Sequence, residues 1–118
     1  RIKFMRIVYV AHPVSGDVSG NIEKIIGIVR DINLQEPDTL PLSSYITDLY
    51  ALDDSNPEER ERGIKNSTKL LRTGIFHEMR LYGDKISNGM LKEIELAEEL
   101  NIPVIAMTPE TKIALKYI

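Results

Sequence analysis

"GDKISNGMLKEIELAEELNIPVIAM", residues 83–107, carries a helix pattern that runs directly into a strand pattern. At about 100° per residue, Met90, Ile94, Ala97 and Leu100 share one stripe, and Lys92, Glu95, Glu98 and Glu99 lie opposite. The pattern predicts a helix from about Ser87 to Leu100. "IPVIAM" follows and reads as a buried strand. A helix feeding an apolar strand is the second half of a strand–helix–strand unit, and a sheet needs more such units to be complete.

They are there. "RIVYVAH" (6–12) is a short, nearly continuous apolar run that ends in the turn formers "PVSGDVSG". It predicts a strand buried on both faces. In "NIEKIIGIVRDI" (21–32), Ile22, Ile25, Ile26, Val29 and Ile32 lie on one side of a wheel and Glu23, Lys24, Arg30 and Asp31 on the other, an amphipathic helix. A short strand is expected at Thr39–Leu42, with a long loop behind it; such a loop in a small domain is usually functional. "NPEERERGIKNSTKLLRTG" (56–74) has Asn56 as a cap, Pro57 in the first turn and a closing Gly74, so a helix is expected there. Its apolar face is thin: Ile64, Leu70 and Leu71. "HEMRLYG" (77–83) reads as a strand and "PETKIALKYI" (109–118) as a final helix. The β-α-β-α-β-α-β-α order predicts one domain over residues 1–118, a flavodoxin-like three-layer α/β/α fold with a parallel sheet of about four strands in the order 2-1-3-4. Ligands bind such sheets beyond the carboxyl ends of the strands, which singles out the loops after strand one and strand three.

Glu93 does not fit its helix. It lies between Ala97 and Leu100 on the wheel, within the apolar half. A lone carboxylate there costs several kcal/mol unless it is paired or opens on a cavity. Either it edges out to solvent or pairs with a basic residue, or it is held in a ligand pocket. Gly89, one turn earlier, would let a ligand approach the helix start. Ser87 caps that start, or leaves its N–H groups to an anion.

Composition narrows the function. The chain has 118 residues, a net charge of −3 and no cysteine. Thiolate and disulfide chemistry are excluded, and no run is long and apolar enough to span a bilayer. A nucleic-acid polymer or an anionic membrane is not expected as partner, and a cytoplasmic location is. The histidines and carboxylates have no metal-ligand spacing, and the Gly-rich loop with a lysine that holds ATP or GTP is absent, so no metal and no cofactor are expected. Residues 1–4 precede Met5 and read as an extension of strand one or as a non-native lead.

"VYVAHPVSGDVSGN" near the start and "LYGDKISNGMLKEIELAEELNIPV" near the end resemble the nucleoside 2-deoxyribosyltransferase-like superfamily, in particular its small bacterial and phage members. The resemblance covers Arg6 to Val104, and "DDSNPEERERGIKNSTKLL" in the middle also fits that subgroup. It implies that Tyr9, Ala11 and Pro13 match a Tyr-x-Ala-x-Pro opening that lines the nucleoside site. It also implies that Gly89 and Glu93 match the Gly-x-x-x-Glu segment that carries the nucleophile. The family's acidic residue before the glycine is Ser87 or Asn88 here; the acid in reach is Asp84, and Gly83, Ser87, Asn88 and Gly89 around it are expected to contact substrate.

The chemistry expected is cleavage of an N-glycosidic bond in a nucleoside or nucleotide, by transfer or by hydrolysis. Glu93 is the expected nucleophile and Asp84 its helper, with Asp53 or Asp54 able to reach in. Tyr9 suits base stacking, and Ser15, Gly16 and Asn21 a hydroxyl or phosphate at the start of helix one. His12 is placed for a ligand phosphate, or else is bonded to backbone. Two other readings remain. One is a binding protein of the same fold that holds a nucleotide or nucleotide-like signal without turnover. The other is an interaction protein that uses the thin helix 57–73. Association into a homo-oligomer is expected.

Overall fold

A computed structural model describes residues 5–118, so the reading of residues 1–4 lies outside the described residues. The elements are β1 (Arg6–Ala11), α1 (Val18–Gln35), β2 (Thr39–Leu42), α2 (Tyr45–Ala51), α3 (Pro57–Leu71), β3 (Glu78–Leu81), α4 (Asn88–Glu99), β4 (Val104–Ala106) and α5 (Pro109–Leu115). The strands form one parallel sheet in the order β2-β1-β3-β4, the flavodoxin-like α/β arrangement. Tyr9 stands beside Leu42 on one side and Met79 on the other.

Strand alternation divides the core. Tyr9, Ala11, Met79 and Leu81 pack in one cluster with Leu71 of α3 and with Met90, Ile94 and Ala97 of α4. Val8 and Val10 point to the other face. They are buried there, as are Ile22, Ile25 and Ile32 of α1.

Three expectations need correction. The stretch read as a loop contains α2. This helix has no fully buried residue and hence no core stripe to give it away. It is pinned instead by the Tyr45 hydroxyl, which donates to the Val10 carbonyl at 2.8 Å. β4 is not buried on both faces. It is the outermost strand, and Ile105 is 40% exposed. α1 begins at Val18, before the predicted Asn21, because Asp17 caps it: Gly20 N donates to Asp17 Oδ1 at 3.2 Å.

β3 is buried along its length although two of its four residues are charged. Arg80 Nε donates to Glu78 Oε2 at 2.6 Å, and its two terminal nitrogens grip both oxygens of Glu36, at the C-cap of α1, at 2.8 and 2.9 Å. Arg6 Nη1 donates to Glu78 Oε1. Each buried charge therefore has an opposite partner and oriented donors, which offsets the cost of desolvation. Among the described residues no buried side-chain nitrogen or oxygen lacks a hydrogen-bond partner.

Gly83 closes β3 onto the first loop. Its φ is +93°, and a Cβ there would lie 2.6 Å from Pro13 Cδ and 3.4 Å from His12 Nε2. Its carbonyl accepts from Thr108 Oγ1 at 2.8 Å. Gly83 therefore welds three loops together, and its role is packing rather than the substrate contact expected of it. Gly83→Ala combines an unfavourable backbone region with a clash against a ring, so it should cost about 2–3 kcal/mol in chemical denaturation. An unchanged midpoint would show that the loops can part freely.

Candidate active site

The cavity of interest, about 660 Å³, opens beyond the carboxyl ends of β1 and β3, where the strand order reverses. Its walls come from four places: His12, Val14 and Ser15 after β1; Tyr45, Asp48 and Leu49 of α2; Arg60, Gly63, Ser67 and Leu71 of α3; and Ser87, Gly89 and Glu93 around the start of α4. A second hollow of about 610 Å³ lies between α4, β4 and α5 at the amino end of β4. It shares no lining residue with the first cavity and has only Glu98 as an ionisable side chain in its wall.

Glu93 faces the first cavity. It is half-buried. Its Oε2 accepts from the Tyr9 hydroxyl, so the partner is a phenol rather than a basic residue. Burial raises the carboxyl to about 7, while the Tyr9 bond pulls the other way. Burial, followed by the charge of Glu93, pushes the Tyr9 phenol well above its ordinary value, so Tyr9 stays protonated and donates. Near neutral pH the site thus holds a carboxylate that exchanges easily with its acid form, the property a nucleophile or acid–base group needs.

The predicted site residues divide. His12, Ser15, Ser87, Asn88, Gly89 and Glu93 line the cavity. A Cβ at Gly89 would meet nothing closer than Ser87 Oγ at 4.0 Å, so the space beside it is open. Ser87 also caps α4, accepting from Met90 N at 3.2 Å. His12 is buried, and its Nδ1 lies 2.7 Å from the Pro13 carbonyl. That oxygen can only accept, so Nδ1 carries the proton.

Others fall elsewhere. Tyr9 has 0% exposure. Its ring meets Phe76 edge-on at 5.3 Å and Tyr45 at 6.2 Å. It cannot stack on a ligand base; it serves the site through its hydroxyl. Ala11 and Pro13 are likewise buried, so the Tyr-x-Ala-x-Pro opening builds the floor under the cavity rather than its lining. Gly16 (φ +95°) makes the turn before α1, and Asn21 Nδ2 donates to the Val14 carbonyl at 3.0 Å, tying the loop down. The Asp17 carboxylate already occupies the first turn of α1, and a Cβ at Gly20 would lie 2.2 Å from its Oδ2. A phosphate there would meet a negative charge, which removes the expected anion site at the start of α1. Asp84 is exposed and stands outside the cavity lining. Of the two loop acids, Asp54 lines the cavity, whereas Asp53 turns back to accept from Ser55 Oγ at 2.6 Å.

Sequence reasoning missed α2 and the cavity face of α3. Arg60, Gly63 and Ile64, Ser67, and Leu71 recur at helical spacing on one side of α3. The thin apolar face was the signal: small and polar residues stand where a core helix would carry Leu or Ile, because that side borders a cavity. Among the described residues no group of three or more His, Asp or Glu stands together to hold a metal ion, and no helix is long and apolar enough to cross a membrane.

No curated protein and no solved structure matches this chain. One family model, described as a domain of unknown function (DUF7768), matches residues 6–107. That span is well over half of the 118 residues, and the chain belongs to this family.

Proposed function

We propose that this protein cleaves the N-glycosidic bond of a nucleoside or nucleotide, with Glu93 as nucleophile. The observation that carries the reading is Glu93 itself: a half-buried carboxylate, aimed by the Tyr9 hydroxyl, in the wall of a cavity large enough for a nucleoside. The resemblance of residues 6–104 to the deoxyribosyltransferase-like superfamily supports the same choice of residue.

A Glu93 oxygen attacks the anomeric carbon as the carbon–nitrogen bond breaks. The bonding pair leaves with the base, which takes a proton from water admitted by the open cavity, where Asp48 and Asp54 can accept hydrogen bonds from the base's N–H groups. Water or a second base then attacks the same carbon and frees Glu93. Leu49, Leu52 and Ile64 offer an apolar wall for the base, and Arg60, Lys85 and Lys92 offer positive charge for a phosphate.

Incubation with deoxynucleosides and their monophosphates should release free base, measured by chromatography. The acid limb of the rate should centre near pH 7, since Glu93 must lose its proton to attack and its carboxyl is raised to about 7. A nucleotide-dependent rise in Tm without base release would favour the binding-only reading instead. Self-association belongs to the same proposal. Met107, Ile113, Tyr117 and Ile118 are exposed apolar side chains in the last segment of the chain, and sedimentation velocity is the test.

A further inference from the structure

His12 is a buried polar side chain that the glycosidic mechanism leaves unused. It follows β1 directly, is 6% exposed, and lines the cavity that Glu93 faces. Its Nδ1 proton is committed to the Pro13 carbonyl at 2.7 Å, so in the neutral ring Nε2 carries a lone pair and can only accept. Among the described residues no protein group donates to Nε2, and every buried side-chain nitrogen has a partner. Nε2 is therefore not sealed inside the protein, and the space it opens on is the cavity. Gly83 lies beside it: a Cβ there would be 3.4 Å from Nε2, and the glycine leaves that space clear.

We propose that His12 is a specificity-determining residue whose Nε2 accepts a hydrogen bond from a hydroxyl of the ligand's sugar. A hydroxyl brings the proton that this nitrogen lacks. A phosphate brings acceptor oxygens and would set lone pair against lone pair, so this position selects a free hydroxyl in place of the phosphate expected there. The sugar is favoured over a base N–H because the apolar wall for the base comes from Leu49, Leu52 and Ile64, whereas His12 stands with Ser15 on the loop after β1. A ligand without the hydroxyl would cover Nε2 and leave it unpaired, which is how such a site rejects an analogue.

The inference rests on the glycosidic reading, so the test has one arm that needs turnover and one that does not. The first compares a deoxynucleoside with its 3′-deoxy and 5′-deoxy analogues. Loss of the hydroxyl that meets His12 should lower kcat/KM of the parent about tenfold to a hundredfold, and should change His12→Leu by less than about twofold. His12→Gln, whose amide oxygen reaches the place of Nε2, should restore part of the sensitivity. The second arm follows the ring nitrogens of the parent by NMR at pH 8. In the free protein Nδ1 of His12 should bear the proton. The deoxynucleoside should move the Nε2 resonance to lower frequency, as its lone pair takes a hydrogen bond, and inorganic phosphate should leave it in place. A parent that releases base but matches His12→Leu in its sensitivity to each hydroxyl, with Nε2 unmoved, overturns the role of His12 and leaves the glycosidic reading standing. An Nε2 shift that persists with both analogues makes the base the donor and overturns the proposal as well. An Nε2 that responds to the deoxynucleoside, and to neither phosphate nor one of the analogues, in a protein that releases no base supports the acceptor and removes the glycosidic reading.

Discussion

Glu93→Gln should abolish turnover and, above neutral pH, make the protein more stable. Both effects come from the same desolvated carboxylate. Glutamine still accepts from the Tyr9 hydroxyl through its amide oxygen, so the local geometry survives, but it cannot attack a sugar. For stability the sign follows from proton binding. The unfolded carboxyl titrates near 4.5 and the folded one near 7. Between these values the folded state keeps a proton that the unfolded state has lost, so stability falls as pH rises through that window, and the full penalty is present above it. Removing the charge should recover on the order of 2–3 kcal/mol at pH 8, a Tm gain of about 10 °C, and almost nothing at pH 4. A variant less stable than the parent at pH 8 would mean that the charged carboxylate is well solvated, and burial would not then raise it as described above.

The second large effect lies on the other face of the sheet. Arg80→Met takes from the Glu78 carboxylate, 4% exposed, its buried guanidinium partner and leaves it only the half-exposed Arg6. Breaking a buried pair from one side costs about 3–5 kcal/mol, against a total for a domain of this size that is not much larger. Burial pushes the Glu78 carboxyl up, but the bonds from Arg80 and Arg6 outweigh it and hold the group below its ordinary value. The Arg80 bonds hold Glu36 down as well. Both groups contribute stability above their unfolded values near 4.5 and lose it as pH falls. The gap between parent and variant should therefore be widest near pH 7 and shrink below pH 4 in urea denaturation. Glu78→Met combined with Arg80→Met removes the buried carboxylate that has lost its buried partner and should restore most of the loss. A double variant as unstable as the single one would show that the packing of the Arg80 stem, not the charge, is what matters.

The architecture was legible because its signals are local. The run at residues 6–12, the isoleucines of α1 and the Met90–Ile94–Ala97 stripe each report on one face of one element, and strand–helix alternation then leaves few topologies. Glu93 was legible for the complementary reason: a charge on an apolar stripe is a local contradiction, and such contradictions gather at functional sites. What could not be read depends on contacts between distant segments. α2 has no buried residue and is fixed by Tyr45 reaching a carbonyl 35 positions away. Tyr9 looked like a stacking platform because its residue type suits one. Only the packing of Phe76 and Tyr45 around it turns the ring into core and leaves the hydroxyl as the working part. Asp84 lies close to Glu93 in sequence but is exposed, whereas Asp48 and Asp54 arrive from a segment with no pattern of its own. The buried charges of β3 were hidden in the same way, since nothing near Arg80 in the sequence points to Glu36.

The most direct test of the central claim is peptide mass spectrometry of protein quenched in acid during turnover of a deoxynucleoside or its monophosphate. A covalent mechanism predicts that the peptide containing Glu93 gains the mass of the sugar unit, that free base accumulates in step, and that Glu93→Gln does neither. Base released by Glu93→Gln at the parental rate, with the peptide at its own mass, would contradict it.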